Sequence, residues 1–141
     1  MSASILAAVD LAHEEASAAV LKRAAEIAAL DGATLSVITV IPDFGSSFVS
    51  SFFDDDAMPK ALEEANAALH AFVDKTLPGH GAVRHITGNG GVYDEVLKAA
   101  DQISADMVVI GAAKPTVPGF ELGPNAARVA RNFSGSVLIV R

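Results

Sequence analysis

The sequence predicts one α/β domain, in which a parallel sheet is covered by helices on both faces. A chain of 141 residues has the length of a single domain with its own core, so residues 1–141 are taken as one domain. Strand-like and helix-like segments alternate along it, and several strand-like segments are nearly continuous apolar runs. Strands with one solvated face would alternate polar and apolar residues, so these runs favour a parallel sheet.

The first half of the chain predicts a strand, a helix, a strand, a long loop and a helix, at residues 4–9, 13–30, 34–41, 43–59 and 60–76. The first strand is a short apolar run that ends at Asp10, and Val20, Ala24 and Ile27 recur after it at helical spacing. The second strand is rich in β-branched residues. The loop holds four Phe and shows neither the helical nor the strand period.

The second half predicts a weak strand, a helix, a strongly apolar strand, a short helix and a last strand, at residues 83–87, 92–103, 106–112, 125–133 and 136–141. The glycine-rich "GNGG" most simply forms the turn before the longer helix, where Val92, Val96 and Ala99 face inward. The last strand has no segment after it, so its apolar edge is a candidate for pairing with a second copy.

Composition excludes several classes of function. A formal net charge of −7 opposes nonspecific binding to DNA, RNA or anionic lipid, so neither a nucleic-acid nor a membrane partner is expected. The absence of Cys removes disulfides and thiolate metal sites. The N-terminus lacks a basic start and a long apolar run, which favours a cytoplasmic protein.

The connection between the fourth strand and the last helix carries the strongest sign of a ligand site. Gly111 follows the apolar strand, and Gly123 precedes Pro124, which suits the first position of a helix. Unpaired N–H groups of Asn125 and Ala126 would then offer a phosphate site. The same spacing also fits an ordinary strand-to-helix connection, and spacing alone leaves both readings open.

Other candidate groups follow the ends of the remaining strands. Lys114 is a nearby cation for a phosphate, Asp10 an acceptor for ribose hydroxyls or a partner for a metal ion on phosphates, and the backbone of Val40 a partner for an adenine edge. In open parallel sheets, ligands bind at the carboxyl ends of the strands where the strand order reverses. The four His are scattered and predict solvated or capping roles, and "DDD" at 54–56 predicts a solvated surface.

The segments "ILAAVD", "TLSVITVIP", "ADMVVIGA", "LGPNAARVARN" and "SVLIVR" together resemble the universal stress protein family over almost the whole chain. The resemblance implies a Rossmann-like, adenine nucleotide alpha hydrolase-like fold with strand order 3-2-1-4-5. It also implies ATP binding, with Mg2+ as a companion ion, and a homodimer through the C-terminal strand, with a tetramer as a larger assembly.

The family signature G-x2-G-x9-G-[ST] is modified here, as in a branch of the family with a basic residue and Pro in this loop. Gly111 and Gly123 match the outer glycines, Lys114 replaces the middle one, the spacer is one residue shorter and Pro124 replaces the hydroxyl residue. By position the resemblance implies a nucleotide site formed by Ala8, Val9, Asp10, Val40, Ile110, Gly111, Ala113, Lys114, Gly123, Asn125 and Ala126.

These observations favour an ATP-binding universal stress protein that acts as a stress-response regulatory module. The alternative is a nucleotide-free interaction module of the same fold, supported by Pro124, the missing middle glycine and the Phe-rich loop 43–60. That loop would cover the pocket, meet another subunit or pack on its own domain. No nucleophile, Walker-type lysine or arginine finger is evident, so no catalytic residue is predicted and at most a slow ATPase is expected.

Overall fold

The computed structural model describes residues 3–41, 57–112 and 122–141, which form five strands and four helices. In chain order the elements are β1 (Ser4–Val9), α1 (Glu14–Asp31), β2 (Thr34–Ile41), α2 (Ala57–Thr76), β3 (Val83–Asn89), α3 (Val92–Gln102), β4 (Met107–Gly111), α4 (Pro124–Asn132) and β5 (Ser136–Val140). All neighbouring strands are parallel, in the order β3-β2-β1-β4-β5. The predicted fold class and strand order are therefore confirmed.

The sheet separates two apolar cores because side chains of a strand point alternately to its two faces. In β1, Ile5 and Ala7 pack with residues of α1 and α2 on one face, while Leu6 packs with residues of α3 and α4 on the other. All three are at most 2% exposed. Each face of the central strand is thus covered by two helices, which explains why its sequence is apolar without alternation.

Most helix and strand boundaries agree with the sequence within two residues, and α2 is the exception. It begins at Ala57, inside the predicted loop, rather than at Lys60. Pro59 therefore lies in the first helical turn, where a residue without an N–H is tolerated because that group would have no acceptor within the helix. At the end of α1, Gly32 adopts the left-handed conformation with a φ of 64° and stops the helix as predicted.

The topology places the candidate site at the carboxyl edge of the sheet. After β1 the chain forms α1 on one face, whereas after β4 it forms α4 on the opposite face. The chain order therefore reverses between these two adjacent strands. A crevice opens at such a reversal because the two connections leave the edge in opposite directions.

Candidate functional site

The residues predicted for the nucleotide site come from elements that end or begin at this one edge. Ala8 and Val9 close β1, Ile110 and Gly111 close β4, and Val40 is the penultimate residue of β2. Asp10 directly follows β1, and α4 begins with Gly123 as its N-cap, followed by Pro124, Asn125 and Ala126. Ala113 and Lys114, like the Phe-rich loop residues 43–56 and "DDD", lie outside the described residues.

A buried serine fixes the turn after β1. Ser17 of α1 is 4% exposed, and its Oγ accepts a hydrogen bond from the N–H of Asp10 and donates one to the carbonyl of Asp10, both at 2.8 Å. The same carbonyl also accepts from the N–H of His13 at 2.9 Å. These bonds hold the main chain of Asp10 at one position relative to α1.

The carboxylate of Asp10 has one oxygen engaged in the turn and a second oxygen near the ring of His13. Oδ1 accepts a hydrogen bond from the N–H of Ala12 at 2.9 Å, while Oδ2 lies 3.9 Å from Nε2 of His13. The side chain is 66% exposed. An exposed carboxylate oxygen on a fixed main chain is suited to accept hydrogen bonds from the hydroxyl groups of a ligand.

Among the described residues, the pairing of β1 with β2 gives the carbonyl of Val40 no partner. In a parallel strand, the N–H and C=O groups of one residue point to the same neighbouring strand, and those of the next residue point to the other neighbour. The N–H of Thr34 donates to the carbonyl of Ala3 at 2.9 Å, so the backbone groups of Thr34 point to the β1 side. Val40 shares this direction, but the register ends with Val9 opposite Thr39. The N–H of Val40 makes the last bond of this ladder, so only its carbonyl remains for a ligand.

Hydrogen bonds join the two ends of the connection between β4 and α4. The N–H of Ala112 donates to the carbonyl of Val140 at 2.8 Å, and the N–H of Gly123 donates to the carbonyl of Ala112 at 2.7 Å. The residues on either side of the connection are therefore hydrogen-bonded to each other, and α4 starts beside the end of β4.

The first turn of α4 presents amide hydrogens that the helix cannot use. Its first intrahelical bond runs from the N–H of Ala127 to the carbonyl of Gly123 at 3.1 Å, and no side chain of the described residues caps this helix. The N–H groups of Asn125 and Ala126 precede that bond, and Pro124 has none. Among the described residues these two groups have no acceptor, and they lie at the positive end of the helix dipole, where anions are favoured.

The packing around Gly111 does not itself require a glycine. A Cβ added to Gly111 would lie 3.5 Å from Cγ2 of Val20 and 3.9 Å from the carbonyl oxygen of Val140, which are ordinary contact distances. The neighbouring protein atoms thus leave room for a methyl group. A side chain at this position would point to the face of the sheet that α1 covers, whereas α4 lies on the other face.

Two residues at this edge were not predicted from the sequence. Ser17 is a polar residue on the buried face of an alanine-rich helix, a signal that could have marked it. Arg128, in the second turn of α4, places its guanidinium 5.0 Å from the ring centre of Tyr93 in α3. This cation–π contact joins α4 to α3.

The described residues contain no group of three His, Asp or Glu placed to hold a metal ion. No helix in residues 3–41, 57–112 and 122–141 is both long and apolar enough to cross a membrane.

Comparison with known proteins identifies relatives along the full chain. The model of the Universal stress protein family matches residues 1–141. Universal stress protein G of Shigella flexneri is 31% identical over 143 residues, and that of Salmonella typhimurium is 29% identical, with both chains covered completely in each case. A universal stress protein solved in complex with cAMP has a similar fold, with a TM-score of 0.76, 24% identity and coverage of 99% and 97% of the two chains. The universal stress protein from Archaeoglobus fulgidus solved in complex with dAMP has a TM-score of 0.61 at 24% identity, with 99% and 98% covered.

Proposed function

Since this chain belongs to the universal stress protein family, we propose that it binds an adenine nucleotide, ATP, at the edge where β1, β2 and β4 end. The observation that carries the proposal is that the N–H groups of Asn125 and Ala126 have no acceptor among the described residues, because such groups would give a chain of net charge −7 a local site for phosphate. Two proteins of similar fold were solved with cAMP and dAMP, which supports an adenine nucleotide as the ligand.

The parts of the nucleotide have separate partners in this proposal. The phosphates lie on the first turn of α4, with Lys114 offsetting their charge. The ribose hydroxyls donate to Asp10, and the 6-amino group of adenine donates to the carbonyl of Val40. Five small or apolar residues at the strand ends line the crevice: Ala8, Val9, Ile110, Gly111 and Ala113.

Mg2+ accompanies the triphosphate in this proposal and has no metal cage made of protein. In the described part of the chain, Asp10 offers one exposed carboxylate oxygen at the edge, 3.9 Å from Nε2 of His13, and no three-residue metal cluster occurs. An ion held mainly by phosphates and one carboxylate is typical of Mg2+ sites in nucleotide-binding proteins. The ion would supply charge neutralisation for the phosphates.

We infer a regulatory module of the stress response, in the cytoplasm, in which ATP occupancy tunes assembly. The described residues present no nucleophile beside a base, so at most a slow ATPase is proposed.

Assembly uses the outer edge of β5. Ser136 and Val140 direct their backbone groups to β4, through bonds with Asp106 and Ala112. The N–H and C=O groups of the alternate residues, Val137 and Ile139, therefore point away from β4. In this proposal they pair with a second copy in a homodimer and, beyond it, a tetramer.

The substitution Asn125→Asp tests the phosphate site because it moves stability and affinity in opposite directions. A carboxylate in the first helical turn favours the dipole, so the unliganded protein should keep or gain about 0.3–1 kcal/mol of stability. The same charge repels phosphate, and we expect ATP affinity to fall about tenfold or more. Isothermal titration and thermal unfolding measure the two effects.

Asn66→Asp on α2 is the matched control, because it makes the same chemical change and keeps the Oδ1 acceptor for the hydroxyl of Thr87. It should leave ATP affinity within about twofold of the parent. A parent chain that binds no ATP at millimolar concentration would reject the proposal.

The second candidate, a nucleotide-free interaction module, is favoured by one observation. Pro124 removes an amide donor at the first position of α4, and no described side chain caps that helix. Normal assembly of a parent chain that carries no nucleotide after purification, with no change in Tm on adding ATP, would favour this module over the binding protein.

A further inference from the structure

Three histidines that are scattered in the sequence meet where α2 packs on β3. The rings of His70 in α2 and His85 in β3 are stacked, with centroids 3.6 Å apart and planes inclined by 16°. Nearby, Nε2 of His80 is hydrogen-bonded to Oδ1 of Asp74 at 2.8 Å. Nδ1 of the same ring is hydrogen-bonded to the carbonyl oxygen of Gly81 at 2.6 Å. We call His70, Asp74, His80 and His85 the histidine cluster.

One ring nitrogen of this cluster lacks a partner. Nε2 of His85 is buried and makes no hydrogen bond within the described residues. A neutral imidazole tolerates this when the nitrogen is the unprotonated acceptor. A proton added to that nitrogen would create a buried, charged donor with no acceptor, directly against the ring of His70.

The charges that face His85 from each neighbouring element oppose its protonation on balance. Burial lowers the pKa of His85 most, and the nearby His70 and His80 lower it further, against smaller opposing effects of Asp74 and the Val83 backbone. From β2, the residue in register is the uncharged Val37. In contrast, the hydrogen bond to Asp74, followed by that to Gly81, raises the pKa of His80.

We propose that mild acid loosens the packing of α2 on β3, because a proton on the buried Nε2 of His85 would create a charged donor without an acceptor, directly against the ring of His70. The open form exposes the ring of His85 to water, where it can be charged without a clash. Since the folded cluster binds fewer protons at His85 than an exposed histidine with a pKa of 6.5, the closed form is favoured above that pH and loses its advantage as the pH falls below it.

His80 acts in the opposite sense within the same cluster. Because its pKa is raised in the folded protein, its bond to Asp74 stabilises the closed form below pH 6.5, and this contribution is lost as the pH rises through the folded pKa. The cluster thus combines one acid-sensitive pair with one acid-stabilised pair.

Hydrogen exchange of the full chain between pH 7.5 and 5, corrected for intrinsic rates, tests the proposal. Amides of α2 and β3 should lose protection relative to those of α3, on the opposite face, by up to about tenfold per pH unit for each proton taken up. His85→Phe keeps a ring for stacking and cannot titrate, so it should abolish this relative loss.

Two outcomes would overturn the proposal: equal loss of protection in α2 and α3, or an unchanged pH response in His85→Phe. If that variant does not fold at pH 8, His85→Leu, which also cannot titrate, replaces it with the same expected result. NMR titration of the parent gives an independent reading, because the His85 ring must titrate below pH 6.5. A His85 ring that titrates at or above that value would also reject the mechanism.

Discussion

Replacing Ser17 with alanine tests how firmly the turn after β1 is held. The hydroxyl group of Ser17 bonds both backbone groups of Asp10, at 2.8 Å each, from a position that is 4% exposed. In Ser17→Ala the carbonyl of Asp10 keeps its bond from the N–H of His13 at 2.9 Å. The N–H of Asp10 loses its acceptor, so one main-chain donor becomes unpaired in a partly buried place.

The expected cost follows from these contacts. An unpaired, partly buried donor costs about 1–3 kcal/mol, and the better helix propensity of alanine returns about 0.5 kcal/mol. The net loss is about 0.5–2.5 kcal/mol. For a chain of this length, each kcal/mol corresponds to about 3–5 °C in Tm, so we expect a decrease of about 2–12 °C.

Urea and thermal unfolding of the parent, Ser17→Ala and the control Ser134→Ala measure this cost. Ser134 is exposed and follows α4, so its replacement should change stability by less than about 0.5 kcal/mol. ATP affinity should also fall in Ser17→Ala, because the carboxylate of Asp10 is no longer held on a fixed main chain. A loss of stability as small as that of the control would refute the reasoning about this turn.

Three further substitutions separate packing from ligand binding. Gly111→Ala should leave Tm within about 2 °C in thermal unfolding, since its Cβ would lie at an ordinary contact distance, 3.5 Å, from Cγ2 of Val20; a larger decrease would contradict this packing. Pro124→Ser restores an amide and a hydroxyl donor to α4 and should raise ATP affinity about tenfold in isothermal titration. Gly135→Ala places a Cβ 2.6 Å from the carbonyl oxygen of Asp106, so it should cost about 1–3 kcal/mol in urea unfolding; a neutral result would contradict this packing.

The fold could be predicted because its signals are local and repeated. Burial determines the apolar runs of β1, β2 and β4 and the helical spacing of Val96 and Ala99. The order of apolar and polar residues along the sequence is enough to recognise both patterns. The strand order came from the family resemblance, since periodicity does not encode it. The start of α2 was predicted wrongly because Pro59 was read as a loop residue, although the first turn of a helix tolerates it.

The candidate site was only partly predictable, because some of its contacts depend on distant pairing. The start of α4 followed from Gly123 and Pro124, whose conformational preferences are local. The choice between the N–H and the carbonyl of Val40 required the register of β1 on β2. The stacking of His70 on His85 joins a helix to a strand fifteen residues later, and no sequence spacing indicates it.

The most direct test of the account observes the amide hydrogens of α4 themselves. In 1H–15N NMR spectra of the parent chain, ATP should shift the Asn125 and Ala126 amide protons downfield, as expected for new hydrogen bonds to phosphate. Adenosine, which has no phosphate, should leave these two signals in place at saturating concentration. If ATP binds and these two amide signals do not move, or if the chain binds no ATP, the central claim is contradicted.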